Sequence, residues 1–197
     1  MPEIVCISGT NRPQNYTLKA LQLVIEEISE NNATPILLDA RKLSLPFPGG
    51  KKTEDSIYMH RIVKKASGVV LATPEYHGSF SAITKLIIEN LGFPSALSKK
   101  PVALLGVAAG GIGAIKSLEH LKGVCSHIGA IIVPGAVSIA GVRDLFDKDG
   151  QCNDQDTITM LKNLAHSLLS FLKEYVCPKY TLEEIVRKQS LPWSSSV

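Results

Sequence analysis

Two runs of this chain, Gly68 to Thr73 and Val102 to Ala108, are apolar almost without interruption. A strand of that kind is buried on both faces, and sheets buried on both faces are parallel sheets flanked by helices. Three shorter apolar runs, Ile4 to Ser8, Pro35 to Leu38 and Ala130 to Val133, complete a set of five. Between them the apolar residues recur at helical spacing. Tyr16 to Glu30 carries Leu18, Leu21, Val24, Ile25 and Ile28 on one face, and Thr53 to Lys65 carries Ile57, Ile62 and Val63. Ser81 to Leu91 is helical, Ile112 to Ser126 places Ile115, Leu118 and Leu121 inward, and Asp156 to Tyr175 is a final long helix. Leu43 to Gly50, with Pro46, Pro48 and Gly49, is a loop.

Strands that alternate with helices and cross over right-handedly give a doubly wound sandwich. The length and strand count predict an α/β, flavodoxin-like three-layer sandwich, with a five-stranded parallel sheet in the order 2-1-3-4-5. One domain is expected over residues 1–176, followed by a C-terminal extension over 177–197. The extension holds Pro178, Pro192, Trp193, a helical patch from Leu182 to Arg187 suited to packing on the domain or a partner subunit, and a serine run expected to fray. In such a fold a ligand sits beyond the carboxyl ends of the strands, at the switch point between the first and third. The loops after strands one, three and four should therefore converge.

The first of these loops is the most informative. The run from Ile4 to Ser8 ends in Gly9-Thr10-Asn11-Arg12-Pro13-Gln14-Asn15, and a helix begins at once. A strand that delivers backbone amides to a helix N-terminus binds phosphate, because unpaired N–H groups point outward and the helix dipole favours an anion. Ser8, Thr10, Asn15 and Thr17 add side-chain donors, and Arg12 adds a planar cation suited to phosphate. Ser8, Asn15 and Thr17 could serve as helix caps alone, but capping does not explain Arg12. The loop has neither the Lys-Ser/Thr ending of a P-loop nor G-x-G-x-x-G, so it suits a terminal phosphomonoester.

The second loop is Thr73-Pro74-Glu75-Tyr76-His77-Gly78-Ser79-Phe80-Ser81. The Tyr76 ring could cover a flat ligand, and backbone N–H groups from Tyr76 to Ser79 could meet the polar edge of a heteroaromatic ring. The competing reading for Tyr76 and His77 is an exposed turn with interface packing. The third loop, Ala108-Ala109-Gly110-Gly111-Ile112-Gly113, would let a planar ring lie against the backbone, although a lone glycine cluster is weak. A phosphate at one end and a flat polar ring at the other describe flavin mononucleotide better than an adenine nucleotide.

Composition narrows the alternatives. A net charge of +3 with no basic block argues for neither nucleic acid nor a membrane surface. No apolar run reaches spanning length. Met1-Pro2-Glu3 leads into a strand with no basic n-region, so no signal peptide is expected. Cys6, Cys125, Cys152 and Cys177 are widely spaced and fit neither a zinc site nor a disulfide framework. Cys6 and Cys125 are expected as buried small hydrophobes, in a reduced, cytoplasmic protein.

On these residues the chain resembles the NADPH-dependent FMN reductase family, which includes quinone, azo-dye and chromate reductases. The family's G-S-x-R-x-x-S-x-(N/T) is similar to the run Ser8 to Thr17, with Thr10 and Asn15 in the two serine positions. Its P-E-Y-N-G-S-x-P-G-x-x-K-N-A-I-D is similar to the run Pro74 to Glu89, and its glycine turn to Gly110-Gly111-Ile112-Gly113. The resemblance implies that Ser8, Thr10, Arg12, Asn15, Tyr16 and Thr17 surround the FMN phosphate. Pro74, Glu75, Tyr76, His77, Gly78 and Ser79 would line the flavin ring, with Gly110 and Gly111 opposite. His77 replaces the usual asparagine, Ser81-Ala82 the Pro-Gly pair, and Leu86 the asparagine after the lysine.

The implied activity is that of an oxidoreductase and flavoprotein. Hydride would pass from NADPH or NADH through FMN to a small-molecule acceptor such as a quinone, azo compound, metal ion or free flavin. The flavin would carry the chemistry, with no catalytic side chain and no resident metal. The resemblance also implies a homodimer or homotetramer, with the helix after the second motif at the contact. The alternatives are a flavodoxin-type electron carrier without NAD(P)H activity, a flavin-free binding module, and a hydrolase. Net +3 argues against the first, because such carriers dock through acidic surfaces. The hydrolase lacks a nucleophile elbow.

Overall fold

The computed structural model describes residues 1–147 and 149–176. Its elements run β1 (Glu3–Ser8), α1 (Tyr16–Glu30), β2 (Thr34–Asp39), α2 (Glu54–Lys65), β3 (Gly68–Tyr76), β4 (Ser79–Phe80), α3 (Ala82–Asn90), β5 (Pro101–Val107), α4 (Ile115–His127), β6 (Ile131–Ile132), β7 (Val137–Ile139), α5 (Val142–Leu145) and α6 (Gln155–Phe171). A 3-10 turn over Ala40–Lys42 follows β2, and a π-helical stretch over Leu172–Val176 ends the described chain. The sequence patch from Leu182 to Arg187 and the serine run lie outside the described residues.

The sheet order is β2-β1-β3-β5-β6, all parallel. This is the expected flavodoxin-like order 2-1-3-4-5 once the short β4 is set aside. Two features depart from it. The fifth strand is split, with β6 pairing at Pro101 and Val102 and β7 at Leu105 to Val107. Pro134 and Gly135, the latter at φ +90, interrupt it between these pieces. The second departure is β4, which turns back on the end of β3 with Tyr76 opposite Ser79. The segment expected as a loop is therefore a tight hairpin.

Alternation along the strands divides the core in two. Ile4, Cys6, Val70, Ala72, Ala103 and Leu105 pack under α1 and α6, against Leu21, Val24, Ile28, Leu164 and Leu168. Val5, Ile7, Val69, Leu71, Val102 and Leu104 pack under α2, α3 and α4, against Met59, Val63, Ile87 and Leu121. Cys6 and Cys125 are fully buried in these layers, and burial pushes both thiols up to about 12. The helical faces read from sequence hold except at two isoleucines, Ile57 and Ile115, which are 55% and 49% exposed. Ile112, also exposed, precedes α4, and Ile115 in its first turn faces out; Leu118, Leu121 and Cys125 carry that helix's packing onto the sheet.

Candidate cofactor site

The ends of β1 and β3 are adjacent, with Ser8 opposite Ala72. From here the chain leaves β1 through Gly9, whose N–H bonds the Ala72 carbonyl at 2.8 Å. A Cβ on Gly9 would lie 2.0 Å from Thr84 Oγ1 and 2.8 Å from Ala72 O, so only glycine fits. Three buried hydroxyls hold this corner. Ser81 Oγ donates to the Gly9 carbonyl, and Thr84 Oγ1 lies 3.1 Å from both Gly9 O and Thr73 Oγ1. The Ser81 amide in turn reaches Thr73 Oγ1 at 3.2 Å. Ser81 also caps α3, accepting from the Thr84 amide. The sequence reading does not single out Thr73, Ser81 and Thr84, although a serine before the helix at Ala82 is a recognisable N-cap signal.

Beyond Gly9, Thr10 is buried and its hydroxyl accepts the Arg12 amide at 3.3 Å. Asn15 uses both ends of its amide, donating to the Arg12 carbonyl at 2.9 Å and accepting from the Leu18 amide at 2.7 Å. It therefore braces the loop and caps α1 together. The amides of Tyr16 and Thr17, in the first turn of α1, have no intrahelical acceptor. The Tyr16 ring lies against Phe146, with centroids 6.2 Å apart, so at the loop Tyr16 offers its backbone. Ser8 Oγ is fully buried and has no hydrogen-bond partner among the described residues. A buried hydroxyl without a partner is costly, and one at a strand end facing a helix N-terminus suits an anion acceptor.

One acid stands near this anion-seeking corner. Asp39 ends β2 opposite Ser8. Burial pushes its carboxyl up, but hydrogen bonds and charge from Arg41 outweigh this and hold it below the usual range. Arg41 Nε lies 3.0 Å from both carboxylate oxygens. The pair cancels a charge that would otherwise oppose a bound phosphate.

The second loop forms the hairpin β3–β4. His77 (φ +51) and Gly78 (φ +73) are both left-handed, the geometry of a two-residue type I′ turn. Histidine, like asparagine, visits that region more readily than most residues, which accounts for His77 at a position where the resembled motif has asparagine. The hairpin touches the first loop through Tyr76. Its hydroxyl is 3.5 Å from Thr10 Oγ1, and the Arg12 guanidinium sits 5.3 Å from its ring centroid. Pro74 is buried in the sheet beside Val107. Glu75 points back to α4, where its Oε2 accepts the Ser117 amide at 3.1 Å.

The third loop meets the hairpin through α4. Ala114, the N-cap of that helix, offers no side-chain cap, and Glu75 supplies one. The loop itself is seated on the chain after β7. The Gly110 carbonyl accepts the Gly141 amide at 3.1 Å, and Ser138 Oγ accepts the Ala114 amide at 2.8 Å. Gly110 and Gly111 are exposed, with open space where a Cβ would stand. Room for a flat ring and an unpartnered hydroxyl beside free first-turn amides together fit FMN. No group of three or more His, Cys, Asp or Glu suited to a metal occurs among the described residues. No helix among them is long and apolar enough to cross a membrane.

The NADPH azoreductase of Bacillus sp. (strain OY1-2) is 30% identical over 178 residues, 88% of this chain and 92% of the relative. The FMN-dependent NADPH-azoreductase of Staphylococcus aureus is 29% identical over 176 residues, 84% of this chain and 93% of the relative. Among solved structures, FerB of Paracoccus denitrificans, a flavoenzyme NAD(P)H:(acceptor) oxidoreductase, superposes with a TM-score of 0.75 at 19% identity. It covers 89% of this chain and 99% of FerB and shows the shared fold. Residues 2–144 match the profile of the NADPH-dependent FMN reductases, and the chain belongs to that family.

Proposed function

We propose that the protein is an FMN-dependent NAD(P)H oxidoreductase whose acceptor is a flat, conjugated small molecule of the quinone or azo class. The observation that carries this reading is the meeting of the first loop with the hairpin at Thr10, Arg12 and Tyr76. Ser8, Thr10, Arg12, Asn15 and the amides of Tyr16 and Thr17 would hold the phosphate. The backbone of Pro74, Glu75, Tyr76, His77, Gly78 and Ser79 would line one side of the ring, with Gly110 and Gly111 on the other. When bound, FMN supplies the capacity to take hydride from a nicotinamide and pass electrons on.

The chain's own residues bind and orient. Arg12 and the start of α1 neutralise the phosphate charge. The hydroxyls of Thr73, Ser81 and Thr84 keep the two loops in register through the Gly9 carbonyl. A small, open ring site selects planar acceptors by shape. Pairing into a homodimer or homotetramer is part of the proposal. An apolar cleft of about 400 Å³ between α3 and α4, lined by Ile88, Gly92, Val124 and Ile128 among others, supports a contact there. The buried free thiols fit a reducing, cytoplasmic setting.

The test is steady-state oxidation of NADPH by the purified chain with an uncharged benzoquinone, with and without added FMN. Turnover that follows FMN occupancy is expected. A protein that fills with FMN yet oxidises neither NADPH nor NADH is an electron carrier and overturns the proposal.

A further inference from the structure

We propose that Lys116, with His77 and His120 beside it, reads the 2′-phosphate of the nicotinamide donor and so gives the enzyme a preference for NADPH over NADH. This rests on the flavin reading of the site.

The hairpin tip lies on the outer face of α4. A Cβ on Gly78 would be 3.5 Å from Lys116 Cδ, so the lysine stem runs directly beneath the turn. One helical turn on, His120 Nδ1 is 3.1 Å from Ser79 Oγ. His77 stands at the tip itself, and all three side chains are exposed. The result is a rim of one ammonium and two imidazoles along the edge of the hairpin that lines the ring site.

Lys116 makes no ion pair among the described residues, whereas several other cations are engaged. Lys85 pairs with Glu89, Lys162 with Glu27, and Arg12 stacks on Tyr76. Lys19 donates to the Asp147 carbonyl, and Lys100 to carbonyls at the end of α2. No carboxylate lies within 4.0 Å of the Lys116 ammonium among the described residues. Of the two acids nearest in sequence and fold, Glu75 is held by the Ser117 amide, and Glu119 is an exposed residue of the same helix. The stem lies along the turn while the exposed head stays in water, which is how a lysine presents a point charge to a phosphate.

The chemistry of the donor supplies the match. NADPH and NADH differ only by a dianionic phosphate on the adenosine ribose. The nicotinamide must lie flat on the ring, so the rest of the dinucleotide leaves across the rim of the ring site. The hairpin edge carries an unpaired cation and two imidazoles on that rim. A sulfonate or other anionic group on an acceptor would meet the same charges, so the test uses an acceptor without charge.

With the FMN-loaded protein and an uncharged benzoquinone, kcat/KM is measured for NADPH and for NADH. Lys116→Ala should lower the NADPH-to-NADH ratio by about tenfold, through KM for NADPH with little change in kcat. Lys116→Arg should restore most of it. Adenosine 2′,5′-bisphosphate should bind the wild type more tightly than adenosine 5′-monophosphate does, and Lys116→Ala should remove that advantage. Arg143, an exposed cation just after the Gly141 contact of the third loop, is the comparison. An unchanged ratio in Lys116→Ala, or a larger fall in Arg143→Ala, overturns the assignment while leaving the flavin reading intact. A chain that takes up no FMN overturns both.

Discussion

The carboxylate of Glu75 accepts the amide of Ser117 at 3.1 Å, so a residue of the ring-side hairpin caps the helix that follows the glycine turn. Ala114 gives that helix no side-chain cap of its own. The hairpin and the third loop are thereby one mechanical unit. Glu75→Ala should cost about 1–2 kcal/mol of stability, the range for a hydrogen bond to a charged group at a half-buried site. Glu75→Gln should recover part of it. Urea unfolding checks this, and a variant as stable as wild type would show that the cap carries no load.

Arg12 is exposed and rests on the Tyr76 ring, ready to move to a phosphate. Arg12→Ala should weaken FMN binding at least tenfold, and Arg12→Lys should fall between, because a lysine cannot offer the planar fork. Quenching of flavin fluorescence on titration measures both. Equal affinity in Arg12→Ala and wild type would remove Arg12 from the phosphate site.

Gly9 has no room for a side chain. Gly9→Ala should destabilise the fold by about 3 kcal/mol, since the new methyl meets a buried hydroxyl and a backbone carbonyl that cannot both give way. Adding Thr84→Ala should restore only part of the loss, because the clash with the Ala72 carbonyl remains. Thermal melts of the two variants separate the contributions.

Glu27 ties α1 to α6. Lys162 Nζ is 2.7 Å from its Oε2, while His166 Nε2 and Asn31 Nδ2 reach Oε1 at 3.0 and 2.9 Å. The Lys162 hydrogen bond, against an opposing push from burial and with help from Asn31, holds the Glu27 carboxyl below its ordinary value. A depressed folded-state pKa contributes stability above the unfolded value, and that contribution is lost as pH falls through the folded one. The advantage of wild type over Glu27→Gln should therefore be full above pH 4.5 and shrink below it. Melting temperatures from pH 7 down to pH 3 test this; a difference independent of pH would contradict it.

How much of this was legible in the sequence depended on how local its cause was. Helix α1 was bounded correctly at both ends because its cap, Asn15, and its apolar face lie within the same fifteen-odd residues. The sequence predicts a loop rather than a hairpin here because His77-Gly78 lacks the usual Asn-Gly signature, although histidine can take the same left-handed geometry. The split of the fifth strand follows from Pro134 and Gly135, which mark a break without saying that the strand resumes. Ile115 is expected inward but stands exposed, because periodicity counts apolar residues without knowing which face a neighbour covers.

The candidate site shows the same division. The loops, and the residues on them, were visible as strand-to-helix junctions rich in glycine and hydroxyls. The links between them were not. Ser81 and Thr84 meet Gly9 across more than seventy positions of sequence, and Glu75 meets Ser117 across more than forty. Such contacts exist only once β1, β3 and α4 have been brought together by the sheet.

The central claim is tested most directly by loading the purified protein with FMN, removing the excess, and adding NADPH in small increments under nitrogen while recording the flavin absorption. The account predicts that the oxidised flavin bands bleach in proportion to NADPH and return when a quinone is admitted. Bands that persist through an excess of both NADPH and NADH would contradict it.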